Sequence, residues 1–129
     1  MKDKLSPIIS FVVGAASYMV GGFDTLITVF ATIVVVDTAT GMLKAWNKGE
    51  YQSRKFRSGF TKTVSYLLGV ILAVQIDLLL GSNFLRDATL TFFIINESLS
   101  IVENLGELGI TFPQQFTDAI KSLQNKDKE

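Results

Sequence analysis

The 129-residue chain contains no cysteine and no histidine, and has only two prolines and one tryptophan. Without cysteine or histidine there can be no disulfide, no thiol nucleophile, no Ser-His-Asp relay and no zinc site built on those ligands. Phosphate-cradling glycine loops are lacking too, because Gly21-Gly22 and Gly41 stand isolated. Net charge is likewise missing, with twelve basic residues against twelve acidic ones. Carboxylates alone support acid–base or metal chemistry only in company that this chain does not supply. The expectation is a non-enzyme with no metal and no cofactor.

What is present is apolar residue in blocks. The apolar fraction is 48% beside 19% charged residues, and the mean hydropathy is +0.37. Those figures are compatible when the charges are segregated, as in a small polytopic membrane protein. The segregation is clearest at 44–62, KAWNKGEYQSRKFRSGFTK, where Lys44, Lys48, Arg54, Lys55, Arg57 and Lys62 face one acid, Glu50. A basic segment between two long apolar segments is retained on the cytoplasmic side during insertion. It is therefore read as a cytoplasmic loop and topology marker, not as a nucleic-acid site.

The chain divides into an N-terminal apolar helix over 1–22, a transmembrane core over 23–109 and an amphipathic cytoplasmic tail over 110–129. The apolar run from Leu5 to Val20 is at the lower edge of the roughly 17–25 residues that cross a bilayer. It reads as a span or as an interfacial helix; Gly14-Ala15-Ala16 also resembles a leader cleavage site. Ser10, Gly14, Ser17 and Gly21 share one face, and small residues so spaced let another helix approach. Residues 25–43 and 63–80 are long enough to span, and the second carries a ridge of Ser65, Gly69 and Ala73 that leads to Asp77. In the first, Asp37, Thr40, Gly41 and Lys44 form one stripe at helical spacing.

Residues 88–105 open apolar and turn two-faced. Asn96, Glu97, Ser100, Glu103, Asn104 and Glu107 fall within an arc of about 120°. The expected fold is therefore an all-α membrane protein of three to four transmembrane helices, with a short amphipathic C-terminal helix around Phe116, Ala119, Ile120 and Leu123. Its last residues, 125–129, read as a frayed tail.

Acids inside spans are costly and survive where they meet protein or water. Glu97 with Asn96, Ser100, Glu103 and Asn104 is read as a polar seam, sealed in one state and wetted in another. Asp77 is read as interfacial and snorkelling. Asp37 is expected to pair with a basic residue such as Lys44, Arg54 or Arg57, in a structural or a functional role.

VVVDTATGMLKAWNKGEYQSRKFRSGFTKT resembles the phage-lysis and toxin-secretion holin family through Asp37, Gly41, Ala45, Ser53 and Gly59. NESLSIVENLGELGITFP resembles its second signature through Asn96, Glu97, Ser100, Ile101, Glu103, Asn104, Gly109 and Pro113, and the Ile-Asp pair at Asp77 matches as well. The resemblance runs over about residues 23 to 123. It implies a multi-pass protein of the host bacterial cytoplasmic membrane that homo-oligomerises in the lipid bilayer. Lesions formed there release an endolysin or toxin without direct contact being required. The alternatives are a small membrane scaffold or adaptor and an ion-channel-like subunit, neither with lytic activity.

Overall fold

A computed structural model describes residues 2–128. The described residues fold into five helices: α1 (Lys2–Val20), α2 (Thr25–Asn47), α3 (Gln52–Leu80), α4 (Phe84–Glu107) and α5 (Gln114–Lys128). No strand forms among the described residues. The β-branched residues of α2 enter a helix because its apolar exterior offers the backbone no other hydrogen-bond partner.

Helix ends follow local chemistry. The Asp24 carboxylate accepts the Ile27 backbone N–H at 3.1 Å and caps α2. α3 stops at Gly81, whose φ of 68° suits the left-handed turn that closes a helix C-terminus. α5 starts directly after Pro113 and stays helical to Lys128, so the frayed tail expected from residue 125 is helical that far; Glu129 lies outside the described residues.

The basic segment is the largest departure from expectation. Only residues 48–51 form a turn; Lys44 belongs to α2, while Arg54, Lys55, Arg57 and Lys62 belong to α3. Charge does not end a helix once its backbone bonds continue. The break needs Gly49, whose φ of 72° other residues rarely adopt.

Helices α2, α3 and α4 pack together, with the C-terminal part of α1 against α3 and α5 against α4. Their apolar core joins Ile27, Phe30 and Val34 of α2, Val70 and Val74 of α3, and Leu90 and Ile94 of α4. Tyr66 and Phe93 stack at 4.2 Å between ring centroids, and Phe30 meets Tyr66 edge-on at 6.1 Å. The exterior is apolar as well: Phe11, Val35, Leu68, Leu72, Leu79 and Phe92 all lie exposed.

Two helices, α2 and α3, are by length and composition apolar enough to cross a membrane. Three to four such helices were expected. α4 is long, with 24 residues, but its apolar half is offset by Arg86, Asp87, Glu97, Glu103 and Glu107. In α1 the charges Lys2, Asp3 and Lys4 shorten the apolar stretch.

Candidate functional site

Polar side chains enter this bundle at three levels. At the end carrying the α1–α2 and α3–α4 turns, Arg86 projects from the first turn of α4 and is 3% exposed. Its Nε donates to the Val20 carbonyl at 2.7 Å, and one terminal nitrogen donates to the Gly22 carbonyl at 3.0 Å. The guanidinium fork holds both carboxylate oxygens of Asp24, at 2.8 and 2.9 Å, and reaches Asp87 at 3.0 Å. This pairing holds the Asp24 carboxyl down at about 2. Asp77 completes the level from α3. It accepts the backbone N–H groups of Leu85 at 3.0 Å and Arg86 at 2.8 Å, and the Ser82 hydroxyl at 3.3 Å.

Asp77 therefore does not snorkel. It is 3% exposed and satisfies two orphan donors at the start of α4, a task that a capping side chain usually performs from within its own helix.

The middle level joins three helices. Lys62 of α3 lies 3.0 Å from Asp37 of α2 and 3.0 Å from Glu97 of α4. Tyr66 donates its hydroxyl to Glu97 at 3.0 Å. One turn further along, the Asn104 amide donates to the Asp37 carboxylate at 3.2 Å and to the Thr40 hydroxyl at 3.0 Å. Asp37, Thr40, Glu97 and Asn104 are all buried. The stripe of Asp37, Thr40 and Gly41 thus faces α4.

The cation that meets Asp37 belongs to the basic segment 44–62 but is not one of the three named for it. Lys62 takes the place offered to Lys44, Arg54 or Arg57, because it is the cation whose helix crosses α2 at that depth. Lys44 instead approaches Glu107 at 3.5 Å, and Lys48 pairs with Glu107 at 2.8 Å, forming the third level at the opposite end. These lysines hold the exposed Glu107 carboxyl below its ordinary range, and Glu107 in turn raises Lys48.

The expected seam is divided. Glu97 and Asn104 face inward, with Ser100 half-buried between them, while Asn96 and Glu103 are exposed on the outer side of α4. An arc of about 120° is wider than one helix–helix contact can cover, so its edges fall on different sides.

Of the small residues, Gly69 lies against the Phe93 ring, whose nearest atom would be 3.5 Å from an added Cβ, and Ala73 is buried. The Lys55 stem covers Gly41 so closely that a Cβ there would meet it at 2.7 Å. Ser10, Gly14 and Ser65 are exposed, and Gly14 has open space around it. Gly21 serves the turn after α1, with a φ of 82° and the Arg86 side chain against it. Arg54 and Arg57 stay exposed on the first turns of α3.

Two residues have structural roles that helical spacing does not reveal. In the sequence Lys62 reads as a topology charge. Arg86 had a signal of its own: it is the only basic residue between Lys62 and Lys121, and it sits between acids at the turn end of the bundle.

The model of the Bacteriophage holin family matches residues 14–125. The chain is 34% identical over 116 residues to Uncharacterized protein YqxH of Bacillus subtilis (strain 168), covering 89% of this chain and 82% of the relative. It is 33% identical over 116 residues to the protein named Probable holin of Bacillus phage phi105, covering 89% and 85%. Uncharacterized protein Lmo0128 of Listeria monocytogenes is 34% identical over 113 residues, covering 87% and 81%. No solved structure matches the chain.

Proposed function

The chain belongs to the bacteriophage holin family, and from that premise we propose that it acts as a holin. In this role it accumulates in the host cytoplasmic membrane as a multi-pass protein, associates with further copies of itself, and opens a lesion through which an endolysin leaves the cytoplasm. Helices α2, α3 and α4 cross the bilayer in this reading, and α1 crosses as a fourth span or lies in the interface. The turn at 48–51 and the C-terminus face the cytoplasm.

One observation carries the pore-forming part: Asn96 and Glu103 are exposed on the outer side of α4, among the exposed apolar residues Phe92 and Leu99. Asn96 is a neutral polar group at the middle of α4 and Glu103 an acid four residues from its end. Facing lipid, each costs less than the roughly 2.5–3.5 kcal/mol of a charge at a helix centre, but neither is free of cost. A lone subunit pays that cost; a second copy or a water-filled lumen against the same stripe removes it. The charge distribution supports the sidedness. Lys44, Lys48, Arg54, Lys55 and Arg57 gather at one end, whereas Arg86 at the other is matched by Asp24 and Asp87. The name of the phage relative, Probable holin, points the same way.

The test is expression in bacteria with a cytoplasmic endolysin while membrane potential and endolysin retention are followed. Abrupt loss of potential together with endolysin escape is expected. Unchanged potential with full retention at high expression overturns the proposal.

A further inference from the structure

Between α2, α3 and α4 one buried oxygen has nothing to bond. Glu97 is 2% exposed, and its Oε1 takes both the Tyr66 hydroxyl and the Lys62 ammonium. Its Oε2 has no hydrogen-bond partner among the described residues. Next to it stands Asp37, held by the same ammonium through Oδ2 and by the Asn104 amide through Oδ1. The Lys62 ammonium lies 3.0 Å from each of the two carboxyl groups, so they stand on either side of one cation.

The charge count at this place does not close. Asp37 comes from α2, Lys62 and Tyr66 from α3, and Glu97 from α4; Thr40, Ser100 and Asn104 are neutral. With both acids ionised, two negative charges meet the one ammonium that touches them; the Lys55 side chain stands a turn away, against Gly41. A buried net charge is far more costly than a neutral hydrogen-bonded group. One added proton brings the cluster to neutrality. Three of the four carboxyl oxygens already accept hydrogen bonds, which leaves Glu97 Oε2 as the oxygen that gains most from carrying a hydrogen. Protonated, it changes from an unsatisfied acceptor into a donor, with the Asp37 carboxylate across the same ammonium to receive it.

We propose that Glu97 binds one proton on Oε2 and shares it with the Asp37 carboxylate, making the three-helix contact a proton-binding site. No other bond changes: the proton is taken from water and returned to water. Lys62, at 42% side-chain exposure, is the member of the cluster that reaches the exterior. A proton bound in the folded bundle and absent from the unfolded chain makes stability fall as pH rises. Loss of the proton leaves a repelling carboxylate pair at the seam, which separates α4 from α2. Only that consequence for opening rests on the proposed holin action; the proton site itself rests on the packing.

The experiment is infrared spectroscopy of the full chain in detergent, with the glutamates carrying ¹³C. At neutral pH one protonated-glutamate carbonyl band is expected in the wild type and in Glu103→Gln, and none in Glu97→Gln. The band should disappear on raising pH. It should be unaffected by exchanging sodium for choline at fixed pH, a comparison that needs only the wild type. Absence of the band at neutral pH, its survival in Glu97→Gln, or its displacement by sodium overturns the proposal. Loss of the band's pH dependence while lysis proceeds normally would do so as well. A normal band in a chain that does not permeabilise membranes supports the proton site and rejects the holin action alone.

Discussion

Replacing Arg86 by alanine should unfasten the turn end of the bundle. The side chain is buried, and its guanidinium makes four hydrogen bonds that join the end of α1 and the α1–α2 turn to α4, with a fifth to Asp87 of its own helix. Removing one partner of a fully buried ion pair costs about 3–5 kcal/mol. Asp24 has half its side chain exposed and regains water when freed, so its share must be discounted. The carbonyls of Val20 and Gly22 do not recover as fully, and hydrogen bonds to charged groups are worth about 1.5–3 kcal/mol. The expected net loss is about 2–3 kcal/mol, read as a shift in the unfolding of helical signal in detergent. Arg86→Lys should restore less than half, since an ammonium cannot grip both oxygens of Asp24 as a fork. Asp24 has its folded pKa depressed to about 2 from an ordinary 3.8. Its contribution is therefore complete above the ordinary value and is lost as pH falls toward about 2. The gap between wild type and Arg86→Ala should stay constant from neutral pH to about pH 4 and shrink below it. A gap under about 0.5 kcal/mol, the size of an ordinary surface substitution, would refute the lock.

Asp77→Ala leaves the N–H groups of Leu85 and Arg86 open and should cost about 1–2 kcal/mol. Faster amide exchange at the start of α4 and unchanged exchange in α5 would identify the cause; uniform acceleration would contradict it. Thr40 and Asn104 touch at 3.0 Å in a chain that has no cysteine of its own. A Thr40→Cys, Asn104→Cys pair should therefore form a disulfide that blocks lysis until reductant is added. Lysis on schedule while the bond is intact would show that α2 and α4 need not separate. Gly69→Leu must place its side chain where Phe93 lies and should cost about 1–3 kcal/mol by overpacking. Wild-type stability and lysis timing would show that this contact is not needed.

The helix pattern was legible because apolar blocks, charge segregation and turn glycines are all local signals. The stripe from Asp37 to Gly41 and the small residues at Gly69 and Ala73 were legible by helical spacing, and they meet neighbours in the bundle. What spacing cannot give is depth and pairing between helices. Lys62 looks like one more loop charge until α3 is seen to run through 52–80 without a break, which carries it to the level of Asp37 and Glu97. Asp77 looks like an acid near an interface until the tight turn at 81–83 folds α4 back onto it. The polar arc of α4 was visible in the sequence, but its division between an inward Glu97 and Asn104 and an outward Asn96 and Glu103 depends on where α2 and α3 stand.

The most direct measurement is release from vesicles loaded with both a small dye and a folded protein of endolysin size, after reconstitution of the purified chain. Holin action predicts that dye and protein leave the same vesicles together once the chain exceeds a threshold density. Release of dye with the protein retained would indicate an ion-channel-like subunit. Retention of both would contradict membrane opening altogether.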